Sequence, residues 1–270
     1  MKNKKYILYS MRVAIIALMM VSLQSCFQDM GQNPPFDFPE QPVPPPIGAD
    51  GQMFYMDFED NYEEYQSLNE ATPVGSPGFA VGKVGNAYAG AENSYLTFGT
   101  AAMAAPLSST MTFSFWYKVN ATPDRAGLLV IAPKTEGAPA DQQNNRTSGF
   151  RLFRENAGGM QRIKANVGNG EFDAWVDGAE AADIDPTKDT WHFIALVFTA
   201  DKAILYIDGE EVKSSDVAIS WKGCDIMSIG SGSPRFNEWG HKSDNSLIDE
   251  LRIYNKALSE ADIKAKFQGK

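Results

Sequence analysis

Two acid-rich stretches contain carboxylates spaced closely enough to be considered for acid–base catalysis. One acid-rich stretch reads DFED (57–60) and the other reads IDE (248–250). Double-displacement glycoside hydrolysis needs two carboxyl groups about 5 to 5.5 Å apart, and alternate residues of one strand can supply them. The first stretch runs into a predicted loop, and the adjacent acids of the second fall on opposite faces of a strand. The sequence therefore predicts no hydrolytic pair and no enzyme activity.

Other catalytic signatures are missing from the sequence. It contains no G-x-S-x-G turn, no H-E-x-x-H motif and no glycine-rich phosphate loop. Its two histidines, His192 and His241, are too few for a multi-histidine transition-metal site. Cys224 lies in a run that predicts the start of a strand, and we interpret it as a small core side chain.

Asp249 is the carboxylate that most needs an explanation. It alternates in phase with Leu247, Leu251 and Ile253, so the pattern predicts that it points toward the apolar interior. An ionised acid in such a place requires compensation. A structural calcium ion would provide it through several oxygen ligands at about 2.3 to 2.6 Å. Backbone N–H groups at a strand end are the alternative, and the sequence leaves both open.

A loop near the C-terminus carries side chains suited to binding a sugar. Residues 231–239 read SGSPRFNEW. Phe236 and Trp239 offer rings that can pack on the apolar face of a pyranose, Arg235 offers paired donors, and Asn237 offers both a donor and an acceptor. We predict these four residues as ligand contacts.

Trp175 is the second tryptophan with a claim to exposure. In the run EFDAWV (171–176), Trp175 shares one strand face with Asp173, whereas Phe172, Ala174 and Val176 share the face predicted to be buried. We therefore add Trp175 to the predicted ligand contacts. The polar loop 134–149, which includes the run QQNNR (142–146), either rims such a site or is a solvated excursion.

The elements that must position these residues are short strands. Period-two apolar runs recur between glycine, proline, asparagine and aspartate clusters, with about a dozen strands in roughly 220 residues and no interleaved helices. This pattern predicts an all-β, two-sheet antiparallel sandwich. The candidate strands are 52–58, 94–99, 110–119, 127–132, 149–155, 160–167, 171–176, 191–198, 202–208, 225–230 and 246–254.

Two local signals refine this architecture. Asp208-Gly209, between the runs AILYI and EEVK, predicts a hairpin turn in which glycine takes a positive φ. The segment ALSEADIKAKF (257–267) predicts one short C-terminal helix with Ser259 as its N-cap and acids in its first turn. The run WHFIALVF (191–198) is apolar on both faces, which predicts a central strand that is covered on each side.

The N-terminus is typical of an export signal. Basic residues precede an uninterrupted apolar core, Val13 to Val21, that is too short to span a bilayer. The stretch Leu23-Gln24-Ser25-Cys26 follows and resembles the lipobox of bacterial lipoproteins. We predict a lipoprotein signal peptide over 1–25 and lipidation at Cys26; an ordinary cleaved signal followed by a chance cysteine is the alternative.

Residues 26–50 are predicted to be a tether. The part after Cys26 contains seven prolines, which favour an extended semi-rigid linker. Removal of residues 1–25 shifts the formal net charge from −10 to −14. So acidic a chain is not expected to bind nucleic acid, or a membrane other than through its lipid.

Three stretches resemble the LamG-like jelly roll of the concanavalin A-like lectin and glucanase superfamily. They are MTFSFWYKV (111–119), DTWHFIALVFTADKAILYIDGEEV (189–212) and LIDELRIYNKALSEADIKAKF (247–267). The resemblance covers roughly residues 51–268, which is essentially the whole predicted domain, 51–270, and it implies a concanavalin A-like fold. Glucanases of this superfamily carry an E-x-D-x-x-E or E-x-D-x-E strand, which this sequence lacks.

The resemblance also implies a metal site and a cellular setting. Many relatives hold a structural calcium with an acid of the first strand and one of the last, which would be Asp57 and Asp249 here. A lipobox, a stalk and this domain resemble surface lipoproteins of Bacteroidetes-type bacteria that serve glycan-uptake systems.

Together these observations predict a non-catalytic, lipid-anchored protein that binds polysaccharide or oligosaccharide. We expect it to be exported and held at the outer membrane, facing the cell surface, where a glycan-transporter complex is a candidate partner. The alternative is a structural or protein-interaction module of an outer-membrane complex, because LamG-like domains bind proteins as well as sugars.

Overall fold

The computed structural model describes residues 48–269, which form two antiparallel sheets packed face to face. The first sheet has the strand order β16-β15-β14-β8-β18-β6-β5, with β1 also paired to β18. Its strands are β1 Gln52–Met56, β5 Gly78–Val81, β6 Asn86–Ala89, β8 Met111–Lys118, β14 His192–Phe198, β15 Lys202–Ile207, β16 Glu210–Asp216 and β18 Leu247–Tyr254.

The second sheet has the strand order β12-β11-β10-β9-β17-β7-β4, and β13 also pairs with β11. Its strands are β4 Thr72–Val74, β7 Tyr95–Gly99, β9 Arg125–Pro133, β10 Ser148–Ala157, β11 Met160–Asn169, β12 Asp173–Asp177, β13 Asp183–Ile184 and β17 Cys224–Ile229. A separate ribbon joins β2 Glu63–Glu64 to β3 Asn69–Glu70. Short 3₁₀ turns lie at Ala49–Gly51, Thr100–Ala102, Ala140–Gln142 and Ala179–Ala182.

The predicted all-β sandwich is confirmed, and every predicted strand is present. Strand β16 was indicated only by the hairpin turn at Asp208-Gly209. The strands that the sequence did not signal at all, β2 to β6 and β13, are each at most four residues long. Such short runs carry too little alternation to be recognised.

Strand β14 shows why the two sheets pack as they do. Ile194, Leu196 and Phe198 enter the core between the sheets. The alternate side chains, Phe193 and Val197 among them, pack on the opposite face against residues of the C-terminal segment. The prediction of a central strand covered on both sides is therefore confirmed.

The C-terminal helix α1, Glu260–Phe267, covers that outer face of the first sheet. Ser259 is its N-cap: the side chain accepts a hydrogen bond from Asp262 N, and Asp262 reciprocates in a capping box. Ile263 of this helix is fully buried and packs against the sheet. The hairpin between β15 and β16 turns at Asp208 (φ 53°) and Gly209 (φ 85°), as predicted.

Phe172 is a correction to the predicted strand faces. Ala174 and Val176 pack on the inter-sheet core, but Phe172 is 59% exposed. Strand β12 begins only at Asp173, so Phe172 lies in the preceding turn and escapes the alternation of the strand.

Candidate functional site

The loop between β17 and β18 folds over the outer face of the second sheet. Phe236 lies at its centre, fully buried, with its ring centroid 5.4 Å from that of Phe153 on β10 and 4.7 Å from that of His241. The loop turns back on itself at Gly232, where a Cβ would collide with carbonyl oxygens of Phe236 and His241. The loop is thus a packed structure and not a free excursion.

Trp175 and Trp239 stack on each other at the edge of this loop. Their ring centroids are 5.8 Å apart and their planes differ by 9°. Trp175 is 42% exposed and Trp239 is half-buried. Strand β12 presents Trp175 outward, while the contact between Phe236 and Trp239 ties the second ring to the buried cluster. We call these two residues the tryptophan pair.

Charged and polar groups border the tryptophan pair. The Arg146 guanidinium lies 4.8 Å from the centre of the Trp239 ring, and its Nη1 lies 3.4 Å from Asp173 Oδ2. Asn166 Nδ2 donates to the same carboxylate oxygen at 2.6 Å. The arrangement places an aromatic surface beside both hydrogen-bond donors and acceptors, which is the chemistry that a hydroxylated ring requires.

Arg151 positions the loop that carries Arg146. Its side chain is fully buried, and its Nη2 donates to the carbonyl oxygens of Asn145 and of Ser148, the latter at 2.9 Å. Burial lowers the pKa of Arg151 to about 10. The sequence analysis did not single out this residue, because an arginine in a strand is usually exposed and nothing in the local pattern signals the loop that covers it.

Three of the predicted ligand contacts have other roles, which corrects the sequence prediction. The Phe236 ring is 0% exposed and cannot face a ligand. Asn237 donates to Ala140 O at 2.6 Å and accepts from Ser233 Oγ at 2.5 Å, so its amide holds two loops together. Arg235 Nη2 donates to both carboxylate oxygens of Asp225 at 2.7 Å.

The polar loop 134–149 divides in the same way. Gln143 is buried and donates to Ala138 O at 2.9 Å, and Asn144 contacts Glu238 through its Nδ2 at 2.5 Å. Only Arg146 of this run reaches the tryptophan pair. The loop is therefore neither wholly solvated nor wholly a rim.

Asp249 is buried, but not in the inter-sheet core as its phase predicted. Glu250 has a φ of 54°, and the pairing register of β18 with β8 shifts between Asp249 and Arg252. This bulge changes the alternation, so that Ile248 enters the core and Asp249 pairs with Trp116. The Asp249 carboxylate lies beneath the turn between β5 and β6.

The backbone of that turn compensates for part of the Asp249 charge. Asp249 Oδ2 accepts from Lys83 N at 2.7 Å and Val84 N at 3.0 Å. Oδ1 is buried and has no hydrogen-bond partner among the described residues. Burial raises the pKa of Asp249 to about 7; those N–H groups oppose the rise, and the charge of Glu250 adds to it.

Asp57, the other predicted calcium ligand, has its own partners. Its carboxylate accepts from Glu59 N at 3.1 Å and from Tyr65 Oη at 2.5 Å. Within residues 48–269, no three Asp, Glu, His or Cys side chains meet at one point as metal ligands. A cation held here would therefore depend on Asp249 Oδ1, backbone carbonyls and water.

The predicted signal peptide, the lipidated Cys26 and most of the proline-rich linker lie outside the described residues. Among the described helices, none has the length and apolar character needed to cross a membrane.

The fold and the loop-capped outer face define a jelly-roll domain. The sequence model of the concanavalin A-like lectin/glucanases superfamily matches residues 90–264. The chain therefore belongs to this superfamily. No curated protein matches the sequence.

Solved structures share the fold at low sequence identity. Domain 4 of AbnA, a GH43 extracellular arabinanase from Geobacillus stearothermophilus in complex with arabinotriose, superposes with a TM-score of 0.58 at 18% identity, covering 79% of this chain and 96% of that domain. The binding domain of botulinum neurotoxin DC matches in complex with SialylT (TM-score 0.52, 13% identity) and with rat synaptotagmin II (TM-score 0.54, 13% identity). This chain is covered to 82% in both toxin matches and spans about half of each toxin chain, 51% and 52%.

Proposed function

We propose that this domain is a non-catalytic glycan-binding module whose contact site is the tryptophan pair with its polar border. The observation that carries the proposal is the parallel stacking of Trp175 and Trp239 at the protein surface. Rigid aromatic side chains bury large area against a ligand at low entropic cost. Buried partners already hold both rings in place before a ligand arrives.

The polar border favours a saccharide over a purely apolar ligand. A sugar has an apolar C–H face for the aromatic rings and hydroxyl groups that both donate and accept hydrogen bonds. Arg146 lies over the Trp239 ring and pairs with Asp173, so the two side chains supply groups of opposite charge beside the tryptophan pair. The arabinotriose bound to the arabinanase domain supports an oligosaccharide ligand for this fold.

The proposal is tested by affinity electrophoresis of the domain in gels that contain plant and microbial polysaccharides. We expect retardation by at least one of them, and Trp175→Ala or Trp239→Ala should each weaken binding at least tenfold. Phe79→Ala is the matched control, because Phe79 is 36% exposed on β5 of the other sheet. Equal binding by the parent and both tryptophan variants would refute the proposed site.

The runner-up function is a protein-interaction module of an outer-membrane complex. The exposed Phe172 (59%) and Trp175 favour it, because exposed aromatic residues also anchor protein partners. The toxin binding domain in complex with synaptotagmin II supports a protein ligand for this fold. A stable protein partner captured independently of carbohydrate, and lost in Trp175→Ala, would favour this function over the first.

The cellular part of the proposal rests on the sequence. We propose that lipid on Cys26 and the proline-rich linker hold the module at the outer membrane, facing the cell surface, where it serves a glycan-transporter complex. We also propose a structural calcium ion at Asp249. One support is that Asp249 Oδ1 is buried and has no hydrogen-bond partner within residues 48–269. A second is a group of acids that repel one another: Asp57, Asp60 and Glu250 add to the effect of burial in raising the pKa of Glu59.

A further inference from the structure

A cavity lies on the outer face of the first sheet, beneath the C-terminal helix. Its volume is about 590 Å³, and ligand pockets commonly measure about 300 to 1,000 Å³. Ser114 and Trp116 of β8 and Tyr254 of β18 form its floor, while Phe267 of α1 borders it. The cavity shares no lining residue with the tryptophan pair.

Two buried hydroxyl groups line this cavity without a partner. Ser114 and Tyr254 are each 1% exposed, and neither Ser114 Oγ nor Tyr254 Oη has a hydrogen-bond partner among the described residues. A buried hydroxyl that has lost water and gained no partner is unfavourable. A ligand with polar groups on its ring can satisfy both hydroxyls at once.

The walls of the cavity are positively charged in an otherwise acidic chain. Lys83 Nζ lies 4.3 Å from the centre of the Trp116 ring, and no carboxylate within residues 48–269 lies within 4.0 Å of it. Lys266 Nζ lies 4.7 Å from the centre of the Tyr254 ring and 3.9 Å from Asp50. Arg252 is paired with Glu250. Two lysines are thus left with weak or no charge compensation, whereas the whole chain has a formal net charge of −10.

We propose that this cavity is a second ligand site, specific for an acidic saccharide. The ligand carboxylate binds between Lys83 and Lys266, its hydroxyl groups bond to Ser114 Oγ and Tyr254 Oη, and its ring packs against the aromatic side chains of the cavity. A neutral sugar lacks the group that the lysines select, and a carboxylate without hydroxyl groups leaves the two buried hydroxyls unsatisfied.

Calorimetric titration of the full chain with three probes tests this site. Glucuronate carries both groups, glucose lacks the carboxylate, and cyclohexanecarboxylate lacks the hydroxyls. We expect glucuronate to bind at least tenfold more tightly than either of the others, and its binding to weaken as salt is raised. Equal affinity for glucose or for cyclohexanecarboxylate would overturn the proposed ligand class.

Variants locate the binding. Lys83→Gln and Lys266→Gln should each weaken glucuronate binding at least tenfold, and Ser114→Ala should weaken it without altering the salt dependence. Lys264→Gln is the control, since Lys264 lies on the same helix but pairs with Glu210 outside the cavity. Trp239→Ala should leave glucuronate binding unchanged. The proposed site would be refuted if Lys264→Gln or Trp239→Ala lost glucuronate binding, or if Lys83→Gln and Lys266→Gln kept it. Neither result would count against the glycan site proposed at the tryptophan pair.

Discussion

The aromatic residues around the tryptophan pair divide into two roles by their exposure. Phe153 and Phe236 are fully buried and hold the β17–β18 loop on the sheet. Trp175 reaches solvent, and Trp239 lies between the buried cluster and the surface. Replacing a buried ring would disturb the loop itself, whereas Trp175→Ala removes contact area with little effect on the fold. The two kinds of substitution therefore separate stability from ligand binding.

The contact between Glu155 and His241 makes the folding stability of the domain depend on pH. Glu155 Oε1 contacts His241 Nε2 at 3.0 Å, and Lys164 Nζ lies 3.3 Å from the same carboxylate. The hydrogen bond from His241 lowers the pKa of Glu155 to about 2. Because the folded-state pKa lies below the unfolded value of roughly 4.3, this stabilisation is complete above about pH 5 and disappears as the pH falls toward 2.

Glu155→Gln tests that dependence. The variant should unfold with a free energy about 1 to 2 kcal/mol lower than the parent at pH 6, and the difference should shrink as the pH approaches 2. Urea unfolding at pH 6, 4 and 2.5 measures it. A difference that stays constant across this range would show that Glu155 does not act through its charge.

The candidate site was only partly predictable from the sequence, for a physical reason. The alternation of Asp173 and Trp175 along one strand is local information, and it identified an exposed face. The burial of Phe236 depends on Phe153, which comes from a distant part of the chain and packs against it only after the sheet forms. Arg151 was likewise hidden, because the loop that covers it gives no periodic signal.

Among the strands, β14 and β18 show what a period-two pattern can and cannot establish. The apolar residues of β14 predicted its central position, since no other place covers both faces. In β18 the same reasoning was right for Leu251 and Ile253, which enter the core, and wrong for Asp249 on the other side of a bulge. Glu250 adopts a positive φ, and the resulting bulge moved Asp249 to the face opposite the one predicted. A bulge leaves no mark in hydrophobic alternation.

That bulge creates the setting for the proposed calcium ion, which thermal unfolding can test. An ion that binds only the folded state stabilises it by RT ln(1 + c/Kd), where c is the free ion concentration, so the unfolding midpoint rises as c exceeds the Kd. We expect millimolar calcium to raise the midpoint of the parent by several degrees over a chelator-treated sample. Asp249→Asn should abolish the rise, and Asp189→Asn, an exposed acid paired with Lys118, should retain it. Identical midpoints with and without calcium would eliminate the ion.

Across the described domain, the two sheets carry different chemistry on their outer faces. The second sheet bears the tryptophan pair and a balanced polar border, whereas the first bears a positively charged cavity beneath α1. The inter-sheet core, built from alternate residues of the same strands, separates them. Because the sites share no side chain, substitutions in one should leave affinity at the other unchanged.

The proposed attachment of this domain to a membrane depends on one thiol, so Cys26→Ser is its test. Lipid chains contribute about 0.8 kcal/mol per buried CH₂, and a multiply acylated cysteine anchors a protein almost permanently. In a bacterial host that processes lipoproteins, the parent should incorporate labelled palmitate and sediment with outer membranes. The Cys26→Ser variant should do neither and should be recovered in soluble form, with glycan binding intact because the tryptophan pair is untouched.

Cys224→Ser is the control, since that thiol is half-buried and burial raises its pKa to about 12. Label in Cys26→Ser, or its absence from the parent, would refute the lipid anchor.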